Sequence, residues 1–266
     1  MRHVPTALLI HLSTFSLLML VVVGCTPEDD PIFNTNTTSS AGTMSVGGDE
    51  VSDTAGEAGD DLNTEPELVL PSEPIEGCIG PEGVADIGTP RAVMTESCAT
   101  CEGEPAPDFV LRDLSPTSCG VGRYYGLDAF IGHVTFVVLL RSTCGYCHGQ
   151  LEKLELMRIE LLAAGYELNM VVINEMNTEG TVDLLTNRSQ IPVLQDLPEV
   201  DAWGALSSED AEGARIGGDK DDMYIYDESG ALWRFLDDDD PAHLLNLSTE
   251  EGYAYLKNTL LEALGE

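Results

Sequence analysis

Basic residues are scarce in this 266-residue sequence. It has 12 Lys and Arg against 47 Asp and Glu, which gives a formal net charge of −35 at pH 7. No Lys or Arg lies between Arg2 and Arg91. A chain this anionic is repelled by phosphate backbones, which argues against nucleic acids as partners. Hydrophobic residues still make up 43% of the chain, so the shortage of cations does not indicate general disorder.

Charged residues are absent from residues 8–23, a mostly apolar run. The run ends in Val-Val-Gly-Cys at positions 22–25, which resembles the lipobox of bacterial lipoproteins. The resemblance implies that residues 1–24 are a signal peptide and that Cys25 carries a lipid anchor. A transmembrane helix is the alternative, but Pro5 and the short apolar core are unfavourable to it. We therefore expect a lipid-anchored protein of the bacterial cell envelope, periplasmic or facing the outer membrane.

Basic residues are also missing from residues 26–76, which contain 13 acidic residues and many Thr, Ser, Asn and Gly. Such a segment cannot bury enough apolar surface to offset its chain entropy. We expect residues 25–76, the lipidated Cys included, to form an acidic disordered tether. No Asp-x-Asp-x-Asp-Gly loop occurs in it, so its acids do not predict a calcium site. The folded part then begins near Gly77 and keeps a formal charge of −23, from 34 acidic and 11 basic residues.

The folded part alternates strands and helices. Residues 133–140 are apolar and rich in β-branched side chains, which predicts a strand buried on both faces. A helix is predicted next, because apolar residues recur there at intervals of three and four. The shared helix face consists of Cys147, Leu151, Leu154, Met157 and Leu161. Shorter strands are predicted at 106–111, 168–174 and 191–195, and a short helix at 181–187.

A hairpin and a helix are predicted for the last part of the chain. Residues 223–226 and 232–235 flank a turn with Gly230 where positive φ is needed. Residues 248–251 (Ser-Thr-Glu-Glu) form a capping box, which predicts the start of a helix. Strand, helix and strand followed by hairpin and helix predict an α/β fold, a mixed central sheet flanked by helices. A CxxC motif at the first strand-to-helix turn makes this a thioredoxin-like layout for residues 105–266.

The CxxC motif predicts redox chemistry. Cys144 precedes the predicted helix, where free backbone N–H groups and the helix dipole favour a thiolate. Cys147 lies one turn later and is within reach to resolve a mixed disulfide. We therefore predict Cys144 as the attacking thiol and Cys147 as the resolving thiol. His148, when charged, would add to the stabilisation of the thiolate.

Three other interpretations of the cysteines compete with this one. Cys144, Cys147 and His148 also match the attachment motif for c-type haem, but a buried strand leading straight into the motif is atypical of a cytochrome. A zinc site formed by Cys98 and Cys101 together with the second pair is another alternative, but the 42 intervening residues exceed the usual spacing. A purely structural disulfide between Cys144 and Cys147 is the third alternative. We predict no cofactor and no metal.

The sequence also resembles a known family, the N-terminal domain of selenoprotein P, which has a thioredoxin fold. The matching stretches are 151–154, 165–166, 171–174, 191–193, 201–203, and above all 220–222 followed by 225–227 and Gly230. In that family the first residue of the redox pair is selenocysteine, and the matching residue here is Cys144. The resemblance implies thiol-dependent redox activity. It does not imply selenium transport, because the Sec- and His-rich tail of that family is absent.

The sequence lacks several features of thioredoxin itself. Thr143 stands where thioredoxin has Trp, no Pro lies between the cysteines, and the strand at 134–140 contains no carboxylate. The position of the thioredoxin cis-proline falls near Asp221. If this segment faces the redox pair, Lys220 would stabilise the thiolate and Asp221 would oppose it. A solvated turn before a strand is the alternative.

Four further cysteines, Cys78, Cys98, Cys101 and Cys119, lie in or near a Cys-rich lead-in at residues 77–104. Outside the cytoplasm we expect them to form two structural disulfides. Three pairings are open, because spacing does not decide among them. A second hypothesis is that Cys98 and Cys101 form another redox pair, which passes electrons to the Cys144–Cys147 pair.

These observations predict an exported, membrane-anchored thiol–disulfide oxidoreductase with Cys144 as its nucleophile. Peroxide reduction by the same thiol is a variant of this hypothesis. The expected partners are a protein thiol or disulfide and, through the lipid anchor, the membrane. The alternative is a redox-silent binding or scaffold lipoprotein with the same fold, and the reactivity of Cys144 discriminates between the two.

Overall fold

The computed structural model describes residues 77–94 and 97–266. The predicted signal peptide, the predicted lipid anchor on Cys25 and the predicted tether lie outside the described residues. Within the described ranges, no helix has the length and apolar character needed to span a membrane.

A seven-stranded mixed sheet forms the centre of the fold, with the strand order β2-β1-β5-β4-β3-β8-β9. Its strands are β1 (Leu111–Asp113), β2 (Tyr124–Tyr125), β3 (Thr135–Leu140), β4 (Asn169–Asn174), β5 (Val193–Gln195), β8 (Met223–Tyr226) and β9 (Leu232–Leu236). Strand β3 pairs in parallel with β4 on one side and antiparallel with β8 on the other. Two short strands, β6 (Ser208–Glu209) and β7 (Arg215–Ile216), form a separate hairpin.

Helices cover the sheet. They are α1 (Gly145–Ala163), α2 (Asp183–Thr186), α3 (Ala202–Ala205) and α4 (Glu250–Ala263), with 3₁₀ helices at Leu127–Phe130 and Glu179–Thr181. The predicted apolar face of α1 is buried along its whole length. The chain leaves α1 through Gly165, whose φ of 91° is a left-handed conformation that favours glycine.

The core has two layers, because successive side chains of a strand point to opposite faces. In β3, Phe136, Val138 and Leu140 pack with α1 and α4, whereas Val137 and Leu139 pack in the layer on the other side of the sheet. Every residue of β3 is buried, as the unbroken apolar run predicted. The mixed sheet, the flanking helices and the C-terminal hairpin and helix confirm the predicted thioredoxin-like fold.

The bounds of several predicted elements differ in the structure. The strand predicted at 106–111 begins only at Leu111, and Val110 instead forms an isolated bridge with Arg91 of the lead-in. The C-terminal helix is capped one residue later than predicted, since Thr249 Oγ1 accepts from the Gly252 N–H (3.1 Å). The helix predicted at 181–187 is divided between a 3₁₀ turn and α2. Strands of two residues, such as β2, carry no periodic pattern and were not predicted.

Two disulfides involve the lead-in. One joins it to a residue beyond it, and the other lies within it. Cys78 is bonded to Cys119, 41 residues away, and Cys98 is bonded to Cys101, three residues away. Cys144 and Cys147 are free thiols. The pairing that the sequence left open is thus one long-range and one local bridge.

These two bridges differ in their expected contributions to stability. Cross-linking removes more entropy from the unfolded chain when the closed loop is longer, so the Cys78→Ser/Cys119→Ser variant should lose about 4 kcal/mol of unfolding free energy. The matched Cys98→Ser/Cys101→Ser variant should lose about 2 kcal/mol on the same basis. Guanidinium unfolding of both variants measures the losses. Equal losses from the two pairs would contradict the loop-length argument.

Candidate active site

The CxxC motif lies at the turn between β3 and α1. Cys144 is the N-cap of α1, with extended backbone angles (φ −96°, ψ 115°). Its Sγ accepts a hydrogen bond from the Cys147 backbone N–H, with a N–Sγ distance of 3.3 Å. The sulfur therefore lies where the free N–H groups and the dipole of the helix stabilise negative charge.

A buried polar network holds this turn in place. The backbone N–H of Ser142 donates to Asn174 Oδ1 (2.9 Å), and Asn174 Nδ2 donates in turn to Gln195 Oε1 (2.8 Å). The Ser142 hydroxyl shares a hydrogen bond with Thr181 Oγ1 (2.7 Å). His148, predicted as a supporting residue, donates from Nε2 to the Ser142 carbonyl oxygen (2.7 Å) and so braces the turn. The sequence did not predict a role for Ser142, Asn174 or Gln195. The one sequence feature that pointed to Asn174 and Gln195 is that each is a polar residue at the end of a buried strand.

The two cysteines have different surroundings. Cys144 is partly exposed, whereas Cys147 is fully buried. Burial alone would raise the pKa of Cys144, but hydrogen bonds from the Cys147 thiol and from backbone N–H groups, together with the charge of Lys220, bring it below its usual value. Burial and the hydrogen bond to Cys144 raise the pKa of Cys147 well above its usual value. Cys144 therefore loses its proton at a lower pH than Cys147 does, and of the two thiols Cys144 is the more available nucleophile.

Asp221 lies against the buried cysteine. Its side chain is fully buried, and its Oδ1 is 3.8 Å from Cys147 Sγ. Lys220 forms an ion pair with the other carboxylate oxygen of Asp221. The Lys220 Nζ lies 5.4 Å from the ring centroid of Tyr146, a residue of the CxxC motif itself. Asp221 has a φ of 72°, a left-handed conformation that Asp adopts more readily than most residues. The segment therefore faces the redox pair, and the alternative of a solvated turn does not describe Asp221.

The neighbouring Asp222 is buried too, but its carboxylate accepts hydrogen bonds from backbone N–H groups and does not contact the sulfur. Its Oδ2 accepts from the Asp219 N–H (2.8 Å) and its Oδ1 accepts from the Asp238 N–H (3.1 Å). Burial raises the pKa of Asp222 to about 7, and these hydrogen bonds only partly oppose the shift. Asp222 therefore joins the loop after β9 to the segment before β8.

This raised pKa predicts how stability depends on pH. The pKa of Asp222 is about 7 in the folded protein and about 4 in an unfolded chain. Between these two pH values the folded protein holds a proton on Asp222 that the unfolded chain releases. The contribution to unfolding free energy is therefore full below this window and is lost as the pH rises through it. Chemical unfolding at pH 5, 6, 7 and 8 should show a smaller pH slope in Asp222→Asn, while the exposed Asp183→Asn control keeps the wild-type slope. An unchanged slope in Asp222→Asn would contradict this account.

The burial of Cys147 and the bond between Cys98 and Cys101 argue against the haem and zinc alternatives. Covalent haem attachment needs both sulfurs to be accessible, but Cys147 is fully buried against Asp221. Cys98 and Cys101 are bonded to each other, so they are not available together as zinc ligands. Among the residues that the structure describes, no group of three or more His, Cys, Asp or Glu is placed to hold a metal ion. The residues at the CxxC turn therefore fit a dithiol site and do not fit haem attachment.

Comparisons with known proteins agree with the predicted resemblance. The model of the family "Selenoprotein P, N terminal region" matches residues 115–237, a range that includes the CxxC motif, Lys220 and Asp221. Among curated proteins, no sequence matches the chain significantly.

Solved structures with a similar fold come from several organisms. A proposed protein disulfide isomerase from Bacteroides thetaiotaomicron is 19% identical, with 65% of this chain and 96% of that chain covered and a TM-score of 0.46. A proposed thiol:disulfide interchange protein from Chlorobium tepidum is 20% identical (63% and 99% covered, TM-score 0.43). Yeast Sco1 is 16% identical (61% and 95% covered, TM-score 0.44).

Proposed function

We propose that this thioredoxin-fold protein, which is similar over residues 115–237 to the N-terminal region of selenoprotein P, is a thiol–disulfide oxidoreductase with Cys144 as its nucleophile. The observation that carries the proposal is the asymmetry of the two thiols. Cys144 is partly exposed at a helix N-terminus with a lowered pKa, whereas Cys147 is buried with a raised pKa. This asymmetry separates the attacking thiol from the resolving thiol.

The first step is attack on a substrate disulfide. The Cys144 thiolate forms a bond to one substrate sulfur, the substrate S–S bond breaks, and the other substrate sulfur leaves as a thiolate that takes a proton from water. The product is a mixed disulfide between Cys144 and the substrate. Because Cys147 is buried, the substrate sulfur has access to Cys144 only.

The second step releases the substrate. Cys147 loses its proton, attacks Cys144 Sγ and closes the intramolecular disulfide, while the substrate sulfur leaves as a thiolate. In total, two electrons pass from the Cys144–Cys147 pair to the substrate, and the reverse sequence oxidises a dithiol substrate. The buried Cys147 needs a proton acceptor for this step, and we assign that role to Asp221, whose Oδ1 lies 3.8 Å from Cys147 Sγ.

Lys220 is assigned to charge balance at the site. Its ammonium group pairs with Asp221 and lowers the pKa of Cys144 together with the hydrogen bonds around that sulfur. It therefore offsets the repulsion that the carboxylate exerts on a thiolate. His148 is assigned a positioning role through the Ser142 carbonyl.

We place this activity in the bacterial cell envelope, with the lipid on Cys25 as the membrane anchor and residues 25–76 as the spacer. The bonded pairs Cys78–Cys119 and Cys98–Cys101 support an oxidising compartment. In such a compartment the partner is a protein that carries a disulfide or a pair of thiols.

The proposal is tested by the pH dependence of Cys144 alkylation. With iodoacetamide, the rate at Cys144 should titrate below the ordinary cysteine pKa of about 8.5. Lys220→Met should move this titration to higher pH, whereas the control Lys153→Met, on the first helix, should leave it in place. Titration of Cys144 as an ordinary thiol in the wild type would favour the redox-silent binding module instead.

A further inference from the structure

We propose that the Cys98–Cys101 disulfide is a second thiol–disulfide exchange site, which accepts electrons from an external dithiol without the participation of Cys144. The pair is a CxxC motif closed into a small ring. It lies beside the β6–β7 hairpin, since Cys98 and Thr100 both contact Ser208.

The two cysteines of this ring differ in exposure and in hydrogen bonding. Cys101 is exposed, whereas Cys98 is half-buried. Ser208 Oγ lies 3.5 Å from Cys98 Sγ and accepts from the Thr100 N–H (3.2 Å). Because a disulfide-bonded sulfur carries no proton, the hydroxyl is the only group of this contact that can donate. An incoming thiolate therefore reaches the Cys101 sulfur, and the sulfur that leaves, Cys98, is the one with a hydrogen-bond donor to stabilise its negative charge. Exchange is faster when the leaving thiolate is stabilised.

The segment around the ring is held without the disulfide. Backbone hydrogen bonds join it to β9, from the Gly103 N–H to the Leu232 carbonyl (2.7 Å) and from the Leu232 N–H to the Glu104 carbonyl (2.7 Å). Ala99, inside the ring, is buried. Opening the S–S bond therefore leaves the segment in place. A disulfide that cycles between its oxidised and reduced forms needs this property. The Cys78–Cys119 bridge closes a much longer loop, so its reduction costs more.

Two successive exchanges reduce the Cys98–Cys101 disulfide. A thiolate of the external dithiol attacks Cys101 Sγ, the Cys98–Cys101 bond breaks, and Cys98 leaves as a thiolate that then takes a proton. The second thiol of the partner loses its proton and attacks the partner sulfur that is bonded to Cys101. Cys101 then leaves as a thiolate and takes a proton. The partner dithiol becomes a disulfide, and two electrons and two protons are transferred to Cys98 and Cys101.

The charges around the ring indicate which partner fits. Glu102 and Glu104 follow Cys101 closely in the chain and are both exposed. They repel an anionic thiol and favour one that carries positive charge. The partner that we infer is thus a dithiol in a cationic environment.

The test uses the full chain with Cys144→Ser and Cys147→Ser, so that the first site cannot contribute. The protein is equilibrated with mixtures of reduced and oxidised dithiothreitol, and its thiols are alkylated and mapped by mass. We expect Cys98 and Cys101 to become alkylated at a reduced-to-oxidised ratio at least tenfold lower than Cys78 and Cys119, with the circular dichroism unchanged. Opening of both disulfides at the same ratio, or only with loss of structure, would overturn the proposal.

A second measurement tests the direction of attack. The monothiol cysteamine should form its mixed disulfide on Cys101, and Ser208→Ala should slow this reaction several-fold. The neighbouring Ser207→Ala is the control, because that hydroxyl bonds to the Gly204 carbonyl instead. A mixed disulfide on Cys98, or a Ser208→Ala rate equal to the wild type, would overturn the mechanism. Cationic cysteamine should also react faster than anionic mercaptoacetate at equal thiolate concentration, and equal rates would overturn the choice of a cationic partner.

Discussion

Replacement of Cys144 by Ser is expected to lower the turnover of disulfide reduction by roughly 10³-fold or more, because a serine hydroxyl at this position cannot supply the nucleophile. The helix N-terminus, the backbone N–H groups and Lys220 stabilise a thiolate on Cys144, but they do not ionise a hydroxyl at neutral pH. Reduction of insulin disulfides with dithiothreitol as the electron donor measures this loss.

Cys147→Ser is the matched control for this experiment. It keeps the attacking thiol and removes only the resolving thiol, so the mixed disulfide with the substrate should accumulate and be visible by mass at Cys144. Any exchange left in Cys144→Ser should disappear when Cys98 and Cys101 are also replaced. Wild-type turnover in Cys144→Ser, or the absence of a trapped species in Cys147→Ser, would contradict the assigned roles.

Asp221→Asn is expected to slow the second step about 100-fold, the lower end of the range for general base catalysis. Asn has nearly the same shape and tolerates the positive φ of this position, but it cannot accept a proton from Cys147. The first step should be almost unaffected, because Cys144 reacts as a thiolate. Rapid-quench measurements should therefore show the mixed disulfide accumulating in this variant.

The control for this prediction is Asp222→Asn, which alters an adjacent buried carboxylate that bonds to backbone N–H groups and not to sulfur. It should change stability without accumulation of the mixed disulfide. In Asp221→Asn the rate of the second step should also rise steadily with pH, because solvent hydroxide must then remove the proton that the raised pKa of Cys147 retains. If both variants slow the second step equally, Asp221 has only a structural role.

Local patterns in the sequence were sufficient for much of the fold. The unbroken apolar run predicted β3 because a strand whose two faces are both covered by packed layers needs apolar residues at every position. The spacing of apolar residues predicted α1, and the turn residues around Gly230 predicted the β8–β9 hairpin. The pair Cys144 and Cys147 followed from the position of its motif between such elements. Strands of two residues were missed because they rest on pairing partners that are distant in the sequence. The exact helix cap was missed because Ser248 and Thr249 are both suitable capping residues, and the cap is Thr249.

The sequence by itself determined the elements that depend on neighbouring residues, namely the central strands, the long helix and the redox motif at their junction. Only the tertiary structure decided which distant groups meet there. Asp221 is 74 residues from Cys147 and contacts it because antiparallel pairing of β8 with β3 brings the start of β8 to the end of β3. Asn174 supports Ser142 because β4 runs parallel to β3 and ends at the same edge. These contacts come from closure of the sheet, which brings together residues whose local sequence carries no signal for one another.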